Sequence, residues 1–215
     1  MSTVPTTLKG KEFEQLLMDA ADRARRAGLM TMGRYGTNGV TIKDDSDPSG
    51  KRTKTVLVPS LPDFEGVLSD SRQFILEVKA CADTSFEMRK DKIKPKQVEH
   101  MLERSAFGVP CFLVIHFAER RGQNFFHPAI TVAIPVNTQR RAWQDYIDAH
   151  AIARKLKQKV KPQGSITRNI AQEWGQLVPW RIPKGCRKAL PDLLSFLDPA
   201  SVVPEQADVD QPTLF

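Results

Sequence analysis

The sequence predicts an α/β fold in which a mixed central β-sheet is flanked by helices. Apolar runs of strand length recur along the chain at 74–79, 111–117 and 130–136. Segments with helical periodicity precede or separate them, at 9–27 and 95–106. A strand, helix, strand order implies a crossover connection, and crossovers join parallel strands. Parallel and antiparallel neighbours are therefore expected in one sheet that is covered by helices.

Length and composition are those of an ordinary globular chain with a basic surface. The 215 residues are 40% hydrophobic and 27% charged, with a formal net charge of +7 and a pI of about 9.4. That charge favours a polyanionic partner, although net charge alone does not separate a nucleic-acid-binding protein from a merely basic one. No segment reads as a signal peptide or a membrane span, so we expect a cytoplasmic protein without a membrane partner.

The cysteines argue against two further classes of protein. Cys81, Cys111 and Cys186 are far apart and odd in number, with no CxxC or Cys/His spacing. This pattern supports neither a zinc site nor a disulfide framework. It is typical of reduced thiols in a cytosolic protein.

The first predicted element is an amphipathic helix over 9–27. Its apolar side chains recur at helical spacing, at Phe13, Leu16, Leu17, Ala20 and Ala24. Gly28 provides a stop, because glycine readily adopts the left-handed conformation that ends many helices. The spacing therefore predicts a helix that packs one face on the sheet.

A loop-rich stretch from 33 to 54 follows, with a short strand at 40–42. Near its end Lys51 and Arg52 form a basic arm. The sequence is equally consistent with a DNA-binding arm and with a solvated loop. Residues 55–79 are then predicted to form the sheet that carries the functional site.

Charged residues interrupt the apolar strand at 74–79. Glu77 and Lys79 are separated by one residue, so they point to the same face of the strand. Asp63 precedes Gly66 at the start of the predicted preceding hairpin arm. A hairpin would bring Asp63 alongside Glu77.

Two interpretations fit this set of two acids and one lysine. The carboxylates can hold Mg²⁺ through oxygen and leave positions for water and a phosphate, while the lysine orients that water or stabilises the developing anion. That chemistry is metal-dependent phosphodiester hydrolysis. The other interpretation is a salt bridge on a half-exposed sheet face. Spacing alone favours the salt bridge, because an acidic-x-lysine pattern is short.

Further motifs favour hydrolysis. Pro62-Asp63 followed by Glu77-Val78-Lys79 is similar to the PD-(D/E)XK nuclease signature. Five motifs in order resemble the RecU-type Holliday junction resolvases: PSLPDFEGV at 59–67, EVK at 77–79, TSF at 84–86, QVEHM at 97–101 and GVPCF at 108–112. The order of several motifs is more specific than any single one.

The resemblance implies a restriction-endonuclease-like core and assigns roles to residues. The catalytic residues that it implies are Asp63, Glu77, Lys79 and Gln97. The two acids would be the metal ligands, for Mg²⁺ or for Mn²⁺ in its place. Thr84 and Ser85 would lie near the scissile phosphate. In related nucleases an acid of the first helix can approach the metal, so Glu14 is either such an acid or a solvated carboxylate. The family's stem-like insertion before Asp63 is short here and differs in composition.

The helix after the site adds candidate DNA contacts. Pro95 fits the first turn of a helix, where a missing N–H group is tolerated. Lys96 and His100 lie near that N-terminus, where backbone N–H groups help to bind phosphate. His100 is either a phosphate contact or a capping residue.

The strongest electrostatic feature lies between residues 151 and 188. A helix is predicted from 139 to about 160, and the stretch 151–188 carries ten basic residues against one acid. Such a run neutralises phosphates with little sequence preference. We assign Lys155, Lys157 and Lys159 within it to DNA binding.

The character of the chain changes after Leu190. Residues 189–215 carry five acids and no lysine or arginine, and a last short helix is predicted at 191–197. We expect residues 1–198 to form the nuclease domain with a basic C-terminal DNA-binding face. Residues 199–215 are expected to be a disordered acidic tail.

The tail ends in Gln211-Pro-Thr-Leu214-Phe215. This resembles the short motif by which DNA-processing proteins bind the bacterial sliding clamp. Gln211 would contact the clamp, and Leu214 and Phe215 would enter an apolar pocket. Chance is the alternative, because five-residue motifs are common. Two large apolar residues in a polar tail favour the motif.

Together these features predict a metal-dependent, structure-selective endonuclease that resolves Holliday junctions in recombination and repair at the nucleoid. Symmetric cutting of a two-fold junction requires two active sites, so a homodimer is implied. Two alternatives stay open at this point. One is a PD-(D/E)XK nuclease that acts on flaps, duplex or ends, and the other is a non-catalytic DNA-binding recombination factor.

Overall fold

The structure is a computed structural model that describes residues 4–35, 39–43, 53–57, 61–89, 92–156 and 164–198. The helices within these ranges are α1 (Gly10–Arg26), α2 (Pro95–Ala106), α3 (Arg141–Lys155), α4 (Arg168–Trp174) and α5 (Leu194–Leu197). The strands are β1 (Met30–Arg34), β2 (Gly39–Lys43), β3 (Thr53–Leu57), β4 (Phe64–Leu68), β5 (Gln73–Cys81), β6 (Ser85–Glu87), β7 (Cys111–Phe117), β8 (Arg120–Arg121), β9 (Phe126–His127), β10 (Ile130–Pro135), β11 (Ser165–Thr167), β12 (Gln176–Leu177), β13 (Trp180–Arg181) and β14 (Leu190–Pro191). None of the described helices is long and apolar enough to cross a membrane.

The central sheet confirms the predicted fold class. Its strand order is β1-β4-β5-β7-β10-β12. β5 and β7 run parallel, with Ile75 opposite Cys111 and Cys81 opposite Phe117, and the other neighbours are antiparallel. α2 provides the crossover between the two parallel strands. The sheet is therefore mixed, as the strand, helix, strand order predicts.

Helices cover both faces of this sheet. On one face, α1 buries Phe13 and Leu17 in a cluster with Leu76 and Val114. Gly28, with φ of +71°, follows the helix and confirms the predicted stop. The other face packs against α2 and α3, in a cluster that contains Ile75, Val98, Met101, Leu113, Trp143 and Tyr146. Alternate side chains of β5 and β7 enter opposite clusters, which explains why these strands read as nearly continuous apolar runs.

The region before the site differs from the prediction for 55–79. β3 belongs to a separate two-stranded sheet with β2, in which Val40 lies opposite Val56, and it does not join the central sheet. The strand that flanks β4 is instead β1. β1 escaped prediction because only Met30 of its five residues is buried, so its sequence shows no strand alternation.

Short elements differ as well. The predicted helix at 191–197 is helical only from Leu194, because Leu190 and Pro191 pair with β13. β6 and β11 pair with one another and have no counterpart in the prediction. Three-residue strands carry too little periodicity to be read from sequence.

A buried histidine lies in the core between the sheet and β13. His116 is fully buried, and its Nδ1 lies 3.0 Å from Thr131 Oγ1, which also accepts a hydrogen bond from Trp180 Nε1 at 2.9 Å. Because the Thr131 oxygen accepts from the indole, its hydroxyl is free to donate to His116 Nδ1. Burial, with a smaller contribution from the charge of Arg168, lowers the pKa of His116 to about 4.

We therefore expect stability to fall on acidification through this one histidine. The unfolded chain takes up a proton near the ordinary pKa of 6.5, whereas the folded His116 stays neutral, so stability is lost as pH falls below that value. Between about pH 7 and about pH 5 the free energy of unfolding should drop by about 2 kcal/mol from this group. In urea titrations, the change in the free energy of unfolding between these two pH values should be about 2 kcal/mol less favourable in the wild type than in His116→Gln, because every other titrating group, including Glu77 with its raised pKa, contributes alike to both proteins. His127→Gln, at an exposed position, should behave like the wild type.

Candidate active site

The pairing of β4 with β5 brings two carboxylates together. Phe64 lies opposite Leu76, so Asp63, the residue before β4, lies opposite Glu77. The Asp63 backbone N–H donates to Glu77 Oε2 at 3.2 Å, and the Val78 backbone N–H donates to Asp63 Oδ2 at 2.8 Å. Each acid is thus held by a main-chain donor of the opposite strand. The hairpin geometry predicted for Asp63 and Glu77 is observed.

Lys79 joins the two acids from two residues further along β5. Its Nζ forms an ion pair with Glu77 Oε1 and lies 3.6 Å from Asp63 Oδ2. The Glu77 side chain is fully buried, whereas the Asp63 and Lys79 side chains are 26% and 21% exposed. The cluster therefore has a buried floor and a rim that solvent, or a ligand, can reach.

The N-terminus of α2 supplies the fourth side chain. Gln97 Nε2 donates to Glu77 Oε2 at 2.8 Å and to the Leu61 carbonyl at 3.2 Å. Gln97 Oε1 accepts from the Lys94 backbone N–H at 2.9 Å and so helps to cap the helix that begins at Pro95. The predicted set of Asp63, Glu77, Lys79 and Gln97 therefore converges on one point, at the junction of β4, β5 and α2.

The electrostatics of the cluster are dominated by burial of Glu77. Burial, and next the charge of Asp63, raise the pKa of Glu77 to about 7, and Lys79 opposes that rise. Burial by itself would lower the pKa of Lys79, but the two carboxylates outweigh it and the net direction is upward. When Asp63, Glu77 and Lys79 are all ionised, the cluster carries a net charge of −1, which favours a bound cation.

The donor set fits a magnesium-like ion better than a zinc-like one. Glu77 Oε1 is buried beside the Lys79 ammonium, and the two carboxylates keep further lone pairs that a cation could use. In the described ranges no group of three or more His, Cys, Asp or Glu side chains could hold a metal. Mg²⁺ is commonly held by one or two carboxylates, with water and substrate phosphate completing its shell. Asp63 and Glu77 fit that pattern.

The remaining predicted DNA contacts lie outside this cluster. Thr84 is exposed in the loop after β5, and Ser85 is half-buried at the start of β6. Lys96 is exposed in the first turn of α2, and Lys155 is exposed at the end of α3. His100 lies one turn beyond Lys96. Among the described residues, no hydrogen bond or ion pair connects these side chains to the carboxylates.

Other predicted residues lie outside the described part of the chain. They are Lys51, Arg52, Lys157, Lys159, Gln211, Leu214 and Phe215, together with the rest of the tail 199–215. The basic arm, part of the basic stretch and the clamp motif therefore stay predictions.

The basic stretch 151–188 is not a uniform surface. Arg168 is only 6% exposed, and its guanidinium donates to the carbonyls of Phe117, Ala118 and Pro128. Arg168 is thus a structural cation, and its charge is not presented at the surface. Arg181 pairs with Asp192 at 3.2 Å. The other described basic residues of the stretch are exposed: Arg154, Lys155, Lys184, Arg187 and Lys188.

The structure also places residues beside the site that the sequence reading did not assign. Tyr35 donates its backbone N–H to the Asp63 carbonyl at 3.1 Å, and its hydroxyl lies 3.5 Å from His100 Nε2. Burial, and next a hydrogen bond with Glu65, raise the pKa of Tyr35 to about 12. Burial, and next the charge of Arg104, lower the pKa of His100. Tyr35 follows β1, so only the register of that strand reveals its proximity to Asp63.

Glu14 of α1 is engaged elsewhere. Its Oε2 lies 3.0 Å from Arg34 Nη1, and the Glu14 side chain is 25% exposed. Of the two alternatives for Glu14, the structure shows neither a metal-site acid nor a fully solvated one. It is a partner for the arginine that ends β1.

Comparison with known proteins adds two findings. The family model RecU, described as recombination protein U, matches residues 8–168. A solved structure of Archaeoglobus fulgidus Hjc, a Holliday junction resolvase from an archaeal hyperthermophile, is 16% identical, with a TM-score of 0.39. The match covers 77% of this chain and 93% of that one, and at this score the likeness is distant. No curated protein matches the chain.

The hydrogen bonds of Gln97 predict its contribution to stability. Methionine has nearly the same volume as glutamine but cannot donate a hydrogen bond. Gln97→Met should lower the free energy of unfolding by about 1–3 kcal/mol, because it removes the donor to the buried Glu77 carboxylate and to the Leu61 carbonyl. Glu99→Met, at an exposed position of the same helix, should change it by less than about 0.5 kcal/mol. Urea unfolding at neutral pH measures both. Equal effects of the two substitutions would show that the Gln97 hydrogen bonds do not stabilise the fold.

Proposed function

This chain belongs to the RecU family of recombination proteins, and we propose that it is a metal-dependent endonuclease that resolves Holliday junctions in recombination and repair. The observation that carries the proposal is the convergence of Asp63, Glu77, Lys79 and Gln97 at one partly open point. A salt bridge alone would require only one acid for one lysine. The second adjacent acid therefore indicates a function beyond stabilising the fold. The family and the site also favour a cytoplasmic location at the nucleoid, where recombining DNA is found.

The chemistry follows from the positions of the side chains. Asp63 and Glu77 would hold Mg²⁺, with Mn²⁺ able to substitute. When bound, such an ion neutralises charge on the scissile phosphate and makes water more acidic. Gln97 and the Asp63 N–H fix the Glu77 carboxylate, so its oxygens need no reorganisation during the reaction. Lys79, on the solvent side of Glu77, orients the attacking water or stabilises the anion that develops.

The DNA would approach over the open rim of the cluster. Thr84 in the loop after β5, Ser85 at the start of β6, and Lys96 and His100 in the first turns of α2 would contact the phosphate backbone near the cut. Lys155 and its neighbours Lys157 and Lys159 would extend the contact along the basic stretch, as phosphate contacts position a protein without reading sequence. The basic arm at Lys51 and Arg52 would contact the same DNA.

The proposed substrate also implies an assembly. A four-way junction has two-fold symmetry, and its symmetric resolution needs two cuts, so we infer a homodimer with two such sites. Residues 1–198 would form this nuclease domain. Residues 199–215 would be a tail whose last five residues tether the enzyme to a sliding clamp.

The two acids provide the direct test of the function. Asp63→Asn and Glu77→Gln should each lower the rate of junction cleavage by at least ~100-fold, the size typical for one preorganised electrostatic contact. Junction binding should change little, because neither side chain needs to touch DNA directly. Cleavage is measured with Mg²⁺ or Mn²⁺ on four-way junctions, flaps, nicked duplex and linear duplex, and binding is measured in EDTA.

Asp145→Asn is the matched control, since Asp145 is an exposed acid on α3 whose partner is the surface residue Arg141. It should leave both cleavage and binding unchanged. Cleavage retained by Glu77→Gln would remove that residue from the site. A wild type that cuts flaps or duplex in preference to junctions would establish a different substrate, and binding without any cleavage would establish a non-catalytic factor.

The terminal motif has its own test. Deletion of Gln211 to Phe215 should abolish binding to a bacterial sliding clamp, because it removes both the glutamine and the apolar pair. It should leave junction cleavage in the absence of clamp unaltered. Surface plasmon resonance on immobilised clamp measures the first effect, and replacement of Leu214 and Phe215 by alanine should reproduce it. Unchanged clamp affinity in either variant would contradict the motif.

A further inference from the structure

A short hairpin projects from the sheet immediately after β7. It consists of β8 and β9, with Arg120 opposite His127 and Arg121 opposite Phe126. Every residue from Arg120 to Pro128 is exposed. The two phenylalanines near its tip, Phe125 and Phe126, are 47% and 56% exposed. A two-stranded hairpin whose phenylalanine rings are about half exposed buries too little surface to stabilise itself, so the fold does not account for the exposed part of these rings.

The two phenylalanine rings of this hairpin lie beside an arginine on one face and a histidine on the other. The Arg121 guanidinium lies over the Phe126 ring, 5.0 Å from its centroid, on one face. On the other face the Phe125 and His127 rings lie 5.3 Å apart. Phe125 also lies across Gly122, where any Cβ would overlap its ring. Each face of the hairpin therefore presents a phenylalanine ring. We call residues 119–128 the aromatic hairpin.

The base of the aromatic hairpin is fixed from both ends. Buried Arg168 donates to the carbonyls of Phe117 and Ala118, just before the hairpin, and to the carbonyl of Pro128, the last residue of the hairpin. The Glu119 backbone N–H donates to the Thr6 carbonyl at 2.7 Å. The hairpin therefore projects from a base that the rest of the fold holds in place. A ring on a fixed base loses less conformational freedom on binding than a ring on a loose loop.

The same contacts connect the aromatic hairpin to the loop that follows β5. Arg120 donates to Asp83 at 2.9 Å and to the Ala82 carbonyl at 3.3 Å. The Arg168 backbone N–H donates to the Thr84 carbonyl at 3.1 Å. Since β5 and β7 are parallel, with Cys81 opposite Phe117, both segments leave the sheet at the same edge. This edge lies two residues beyond Lys79, roughly 7 Å along the strand.

We propose that the aromatic hairpin is a DNA-contacting element that inserts or stacks Phe125 and Phe126 against unstacked bases beside the branch point of a junction. The inference rests on the proposed nuclease function and extends it with a specific binding surface. Phenylalanine wedges separate base steps, and exposed rings stack on bases irrespective of sequence. Branch points offer unstacked base faces that a continuous duplex does not.

Charge favours nucleic acid as the occupant of this surface. The aromatic hairpin carries two arginines and a histidine against one acid, Glu119, which is its first residue. The ion pair of Arg120 with Asp83 lies at the surface, where such pairs contribute little stability. The Arg120 guanidinium can therefore exchange the exposed Asp83 carboxylate for a phosphate oxygen without leaving a buried charge unpaired. Arg121 is also largely exposed, although its partner Glu119 is only 19% exposed.

The test uses the full-length protein and a four-way junction that carries 2-aminopurine beside the branch point. Binding is measured in EDTA, so it is independent of cleavage. The wild type should raise 2-aminopurine fluorescence as the base unstacks. The double variant Phe125→Ala with Phe126→Ala should weaken junction binding by roughly ten-fold and abolish that rise, as expected for lost base–aromatic stacking. Binding to linear duplex should change much less.

Phe107→Ala is the matched control, because Phe107 is an 84% exposed phenylalanine that caps the opposite end of α2. It should bind and unstack the junction like the wild type. Phe126→Leu keeps apolar bulk without a ring, and it should fold normally and still reduce the fluorescence rise. Circular dichroism verifies the fold of each variant.

Two results would overturn the inference. One is a double variant that binds the junction and raises 2-aminopurine fluorescence like the wild type. The other is a double variant whose sedimentation changes from dimer to monomer, which would identify the hairpin as an interface between copies. Failure of the nuclease proposal gives a different result, since the wild type itself would then cut no junction in Mg²⁺ or Mn²⁺.

Discussion

Burial of the Glu77 carboxylate is the constraint on which the rest of the site depends. A buried charge persists only when donors or opposite charges surround it. The chain supplies them from three places: the Asp63 amide, the Gln97 side chain and the Lys79 ammonium. These belong to the entry of β4, to α2 and to β5. Docking of α2 onto the β4–β5 hairpin is therefore the same event that completes the site.

The sequence predicts the elements that bury regular apolar patterns. β5, β7 and α1 were predicted within about two residues, because their alternating or helical patterns face a core on defined sides. β1 was missed because only Met30 in it is buried. The meeting of Asp63 with Glu77 could be anticipated, since a hairpin pairs residues by simple counting. The position of Tyr35 beside Asp63 could not, because it depends on the register of an unpredicted strand.

Charge patterns in the sequence show which segments are basic, but they do not show which basic side chains are exposed. Arg168 lies in the basic stretch 151–188, whose charge predicts an exposed phosphate-binding surface. Its side chain is nevertheless buried in the core. Its nearest neighbours in the chain, Thr167 and Asn169, give no sign of this. What buries Arg168 is a set of carbonyl acceptors contributed by Phe117, Ala118 and Pro128, about fifty residues or fewer away in sequence. Such acceptor sets become visible only in three dimensions.

Arg168 also explains why the site and the aromatic hairpin belong together. Parallel strands place their carboxyl ends at one edge, and here β5 leads to Thr84 while β7 leads to the hairpin. The backbone N–H of Arg168 holds the Thr84 carbonyl, and its guanidinium holds both ends of the hairpin. A single buried cation thus fixes the two segments relative to each other. Since Lys79 lies on the same β5 strand, a base held at the hairpin would place its neighbouring phosphate at a defined distance from the carboxylates.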